Sequence, residues 1–95
     1  MREEIIDRYG NVIYLTDERW HHIVDRHYEL NEHRPELISA IRSGKRRRDP
    51  EDSDTFYYKK RLRHPIANLN YIEAVVVFQW RKDKPNNFIV TAYPK

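Results

Sequence analysis

From Thr55 to the end of the chain, three stretches have strand composition and nothing between them has helical periodicity. Residues 55–63 join an aromatic run to a basic one, residues 71–82 are rich in β-branched types, and residues 87–93 are again of strand composition. With no room for a helical crossover, neighbouring strands of this kind run antiparallel. Lys84-Pro85-Asn86-Asn87 is expected to turn the last two into a hairpin. Near the start, residues 4–9 and 11–15 are two apolar runs flanking Gly10-Asn11, the pattern of another β-hairpin.

Two helical patterns lie between these strand regions. Thr16 offers an N-cap oxygen, and Asp17 and Glu18 complement the dipole of the first turn. Trp20, Ile23, Val24 and His27 then fall at i, i+3, i+4 and i+7, which predicts a helix from 17 to about 28. A second helix is expected from Pro35, with Leu37, Ile38 and Ile41 as its buried stripe and Gly44 as its stop. Lys45–Arg48 can add a short strand before an acidic loop at 49–54. The expectation is one α+β domain over residues 1–95. Its sheet is mainly antiparallel, with about four to five strands and two helices on one face, preceded by an N-terminal hairpin. Ninety-five residues are too few for two cores.

Charge is the compositional feature that bears on function. Residues 1–41 carry a net −4 and residues 42–95 a net +7, concentrated at Arg42, Lys45–Arg48 and Lys59, Lys60, Arg61 and Arg63. Such clustering favours a polyanion, most often nucleic acid, over a merely solvated surface. The absence of cysteine excludes a disulfide scaffold, thiol catalysis and cysteine zinc sites. No apolar run approaches a membrane span, and the opening residues lack an apolar leader, so a cytoplasmic protein with no membrane partner is expected.

Three of the five histidines sit in the first helical pattern. His21 and Asp25 share one exposed side, His22 and Arg26 another, and His27 lies on the apolar stripe. A hydrogen-bonded core histidine is the competing reading for His27. His21 and Asp25 could hold a metal with His33 or His64, but no zinc motif is present and Arg26 opposes a cation. No metal and no other cofactor is therefore expected. Alternation puts Tyr57, Lys59 and Arg61 on one strand face and Phe56, Tyr58 and Lys60 on the other. It likewise sets Phe88, Val90 and Ala92 against Ile89, Thr91 and Tyr93. Basic side chains bind phosphates and tyrosines stack on unpaired bases, so Arg46, Arg47, Arg48, Tyr57, Lys60 and Arg61 are candidate RNA-binding residues. RNA cleavage needs a base for the 2′-hydroxyl, an acid for the leaving 5′-oxygen, and cations for the charge on phosphorus. His27 or His22, Arg26, Lys59 and Thr91 are of the right types.

The Trp20-His21-His22-Ile23-Val24-Asp25-Arg26-His27 run, the Tyr57-Tyr58-Lys59 strand and the Thr91-Ala92-Tyr93 ending resemble the phage-type branch of the barnase–EndoU–colicin–RelE superfamily of small metal-independent ribonucleases. The similarity runs from Ile5 to Tyr93. It implies a barnase/RelE-like domain, a role as a toxin or effector, and a cognate antitoxin or immunity protein as partner. Carried over residue by residue, the resemblance assigns His22, Arg26, His27, Lys59, Thr91 and Tyr93 to catalysis. Tyr28 departs from the proline that commonly follows the second helix histidine. Two other function classes fit the same residues. One is a non-catalytic nucleic-acid-binding or regulatory module, and the other is a protein-interaction domain whose acidic and basic halves meet a partner's charges.

Overall fold

A computed structural model of the chain describes residues 2–95. The element order is β1 (Arg2–Ile6), β2 (Val12–Thr16), α1 (Asp17–Arg26), a single 3-10 turn (Tyr28–Leu30), α2 (Arg34–Ser43), β3 (Lys45–Arg48), β4 (Thr55–Ile66), β5 (Leu69–Val77), β6 (Trp80–Arg81), β7 (Lys84–Pro85) and β8 (Asn87–Pro94). Six strands form the main sheet in the order β1-β2-β8-β5-β4-β3, while β6 and β7 pair separately. Five strand pairings are antiparallel and one, β2 with β8, is parallel. The α+β class and the two helices on one face agree with expectation. The sheet is wider than expected, because Lys45–Arg48 does form an edge strand and the N-terminal hairpin joins the sheet through β8 rather than preceding it.

The core lies between the sheet and the helices. Ile23 of α1 and Leu37, Ala40 and Ile41 of α2 pack with Tyr58, Ile72, Ala74, Val76, Ile89 and Ala92, all fully buried. Each large side chain so buried contributes about 1.5–3 kcal/mol. The Thr16 hydroxyl accepts the Arg19 N–H at 3.1 Å, capping α1 as the sequence predicts. Gly44 ends α2 for a different reason than a left-handed turn, since its φ is −70°. A Cβ there would lie 2.3 Å from the Ala40 carbonyl oxygen and 3.0 Å from that of Lys59, so only glycine lets β4 approach the helix end.

Several boundaries differ from the sequence pattern. The long strand ends at Val77, and Trp80–Pro85 folds into its own small hairpin. Lys82 and Asp83 both have positive φ at its tip, so the turn precedes Lys84-Pro85 rather than containing it. A bulge interrupts β5–β8: Val75 pairs with Thr91 but Val76 pairs with Ile89, leaving Val90 as the extra residue. The simple alternation along β8 therefore fails, and Ile89 and Ala92 both face the core. Among the described residues, no helix is long and apolar enough to cross a membrane.

Candidate active site

β2 pairs with β8 only at Ile13–Asn87 and Tyr14–Phe88, and beyond that point α1 packs against β8 instead. Helix and strand enclose a cleft of about 570 Å³. Arg19, His22, Arg26 and His27 line it from α1, and Val90, Thr91 and Tyr93 from β8. Arg19, His22 and Arg26 are spaced i, i+3 and i+7, one helical ridge, so a single face supplies two guanidiniums and an imidazole. The bulge at Val90 turns Thr91 and Tyr93 away from the core and onto this side.

His27 is the C-cap of α1, with φ −133° and ψ 71°, and its N–H bonds the Ile23 carbonyl at 2.8 Å. The helix thus stops two residues earlier than its apolar period suggests, and Tyr28 begins the 3-10 turn. That break takes the imidazole off the buried stripe, leaving it 33% exposed, with Nδ1 4.0 Å from Glu29 Oε2. Its ring centroid lies 5.9 Å from that of Tyr93. His27 is therefore a cleft residue rather than a core histidine.

Register builds the rest of the surface. On the sheet face away from α2, one cross-strand row runs Lys45, Lys59, Glu73, Tyr93, and the next runs Arg47, Tyr57, Val75, Thr91. Glu73 is 1% exposed at the centre of the first row. Its Oε1 accepts the Tyr93 hydroxyl at 2.8 Å and the Lys95 ammonium at 3.2 Å, and the Arg47 guanidinium is 3.9 Å away. Oε2 is buried with no hydrogen-bond partner. Burial and the bond to Glu73 push the Tyr93 phenol up to about 12, so it stays protonated as a donor at neutral pH. The Tyr57 hydroxyl is taken by Asp49 Oδ2 at 2.5 Å, while its ring lies 4.2 Å beneath the Arg47 guanidinium.

Of the residues singled out from sequence, His22, Arg26, His27, Thr91 and Tyr93 meet in the cleft. Lys59 does not line it; it stands in the Glu73–Tyr93 row, with its ammonium 4.6 Å above the Tyr71 ring. Arg47, Tyr57 and Arg61 share that face, Arg61 reaching the Tyr71 hydroxyl at 3.3 Å. Arg46, Arg48 and Lys60 do not, because strand alternation sends them to the opposite side. The Arg46 guanidinium is stacked 4.2 Å from Tyr9 and 4.6 Å from Phe56, and that of Arg48 is 5.1 Å from Phe56. Lys60 is bonded to the Ser39 and Ser43 hydroxyls of α2 at 2.6 and 2.7 Å. His21 and Asp25 gain no third ligand: the described residues hold no group of three or more His, Cys, Asp or Glu able to bind a metal ion. Sequence reading passed over Arg19, Glu73 and Lys95. Glu73 had a signal, a lone acid inside the apolar run 71–77, where alternation sets it beside Tyr71 and Val75.

Comparisons of the chain with protein-family models, curated proteins and solved structures give no significant match.

Proposed function

We propose that the protein is a metal-independent endoribonuclease of toxin or effector type, acting in the α1–β8 cleft. One observation carries this reading: two imidazoles and two guanidiniums from one helix and its C-cap face a hydroxyl and a protonated phenol from one strand. RNA supplies its own nucleophile. The 2′-oxygen attacks the adjacent phosphorus, the 5′-oxygen leaves, and the products are a 2′,3′-cyclic phosphate and a 5′-hydroxyl. One proton must be taken from the 2′-hydroxyl and one given to the leaving oxygen, and imidazole is the side chain that does both near neutral pH. His27 and His22 form the proton-transfer pair in this reading. Arg26 and Arg19 offset the charge that grows on the phosphoryl oxygens, with Thr91 as a neutral donor and Tyr93, whose one proton is given to Glu73, as a wall of the cleft. Glu73 is too buried to touch substrate and acts as a positioning residue, holding the Tyr93 hydroxyl, Lys95 and Arg47 together. Lys59, Arg47 and Arg61 extend the cationic face along which the strand would lie.

The test is cleavage of unstructured RNA by purified protein with and without EDTA, with the product ends mapped. Unchanged cleavage in chelator and 2′,3′-cyclic phosphate ends are expected. Loss of cleavage in EDTA that zinc or magnesium restores would overturn metal independence. Tight RNA binding that never yields new ends would sustain the binding-module reading instead.

A further inference from the structure

A second cleft, of about 300 Å³, follows the first along the edge of β8, and the cleavage chemistry leaves it without a role. Its lining includes Tyr14, Arg19, Gln79, Arg81, Asn86 and Phe88. Arg19 lines both clefts, so the two adjoin at that side chain along one track. Phe88 and Tyr14 form its aromatic wall, with ring centroids 5.9 Å apart and planes tilted by 40°. The Tyr14 hydroxyl donates to Asn86 Oδ1 at 3.0 Å, which fixes the ring against the β7–β8 connection. The Arg2 guanidinium lies over the Tyr14 ring at 3.8 Å. Arg81 projects from the exposed β6–β7 hairpin, where it pairs with Lys84 and where Lys82 and Asp83 form the tip.

An aromatic wall between guanidiniums, with carboxamides at its rim, is the chemistry that binds an unpaired nucleotide. An apolar ligand would not need the cations, and an inorganic anion would not need the rings. The track is also long enough for more than one nucleotide, because Arg19 and Arg26 are seven residues apart along α1, roughly 10 Å at 1.5 Å per residue. We propose that this cleft is a nucleotide subsite. It holds an unpaired residue of the RNA strand beyond the two nucleotides that flank the scissile phosphate, with the base against Phe88 and its outer phosphate on Arg81. The inference rests on the ribonuclease reading and gives it a substrate class: single-stranded RNA of several nucleotides rather than a duplex or a dinucleotide.

Binding of 2′-O-methyl oligonucleotides, whose blocked 2′-oxygen cannot attack, tests the subsite apart from catalysis. An unstructured six-mer should bind the wild-type protein at least about tenfold more tightly than a two-mer. Arg81→Ala and Phe88→Leu should each remove most of that gain while leaving two-mer affinity unchanged. Arg81→Ala should also lower the salt slope by roughly 0.7, the value for one phosphate contact on a single strand. Equal affinity for the two lengths, or a gain that survives both substitutions, overturns the subsite. The parallel arm uses unmodified RNA. An Arg81-dependent length gain without cleavage would sink the nuclease reading alone, cleavage without a length gain would sink the subsite alone, and no binding at all would sink both.

Discussion

Two carboxylates are buried in this small sheet protein, Asp7 at 4% exposure and Glu73 at 1%, and their surroundings differ in kind. Asp7 closes the N-terminal hairpin loop. Its Oδ1 accepts the N–H groups of Tyr9 and Asn11 at 2.9 and 2.8 Å, and its Oδ2 accepts the Asn11 amide at 3.1 Å and the Tyr58 hydroxyl at 2.5 Å. Both oxygens are fully used, and the stacked Arg46 guanidinium stands 4.0 Å away. Glu73 spends one oxygen on Tyr93 and Lys95 and leaves the other bare, an arrangement that costs about 1–3 kcal/mol. Asp7 ties hairpin to sheet and so stabilises the fold. Glu73 gathers donors and cations on the face where a substrate would lie, at the expense of stability.

The sharpest way to break this contrast is at the cleft beside Tyr93. His27→Gln keeps volume and hydrogen bonding but cannot shuttle a proton near neutral pH, so RNA cleavage should fall at least about 10²-fold with folding intact. His22→Gln should cost a similar factor. Full activity in both variants would leave the helix motif structural and put the binding-module reading ahead.

Glu73→Gln should follow, with a loss of about 10- to 10²-fold in cleavage, the scale expected when a positioned group shifts by about 1 Å. Urea unfolding of the same variant should change by less than about 1 kcal/mol, since no satisfied network is dismantled. A large stability loss with normal kinetics would place Glu73 in the same structural class as Asp7.

Asp7→Asn should show the reverse pattern, losing about 2 kcal/mol of stability and leaving the cleavage rate per folded molecule unchanged. Acid titration sharpens this. Burial alone would raise the Asp7 carboxyl, but the bonds from Tyr58, Asn11 and Tyr9 outweigh it and hold it below its ordinary 3.8. A depressed folded-state value means the unfolded chain binds the proton first. The contribution is therefore complete above pH about 4 and is lost as pH falls through the folded value. The wild type should lose this increment in urea midpoints as pH falls below about 4, and Asp7→Asn should show a flatter profile.

The smallest effect separates neighbours in one strand. Arg47→Ala should weaken RNA binding several-fold and flatten its salt dependence by roughly 0.7. Arg46→Ala should barely change RNA affinity and should instead cost about 1 kcal/mol of stability through its lost ring stacking. Equal effects on RNA binding would mean that the two sheet faces are not functionally distinct.

Much of the architecture was legible because it is local. Thr16 caps, the 3.6-residue stripe of Ile23, Leu37 and Ile41, and the unbroken series of strand patterns after Thr55 each depend on neighbours a few residues away. His22 and Arg26 of α1 were legible for the same reason, whereas Arg19, at the start of their i, i+3 and i+7 ridge, stood out only once the cleft was formed. The Lys45–Arg48 run was harder: its charge pointed to one binding patch, and only its pairing with β4 splits Arg47 from Arg46 and Arg48.

What the chain could not announce by itself is where partners from distant strands stop and start. The sequence determined the class of fold, the two helices and the supply of imidazoles and cations. Tertiary structure decided that β2 leaves β8 after Phe88, that Val90 is bulged, and that Glu73 sits between Lys59 and Tyr93. A one-residue slip in pairing sends a side chain to the other face, and register is fixed by packing across the whole sheet rather than by any local pattern. For that reason the residue types of the site were readable along the chain, and their assembly into a cleft was not.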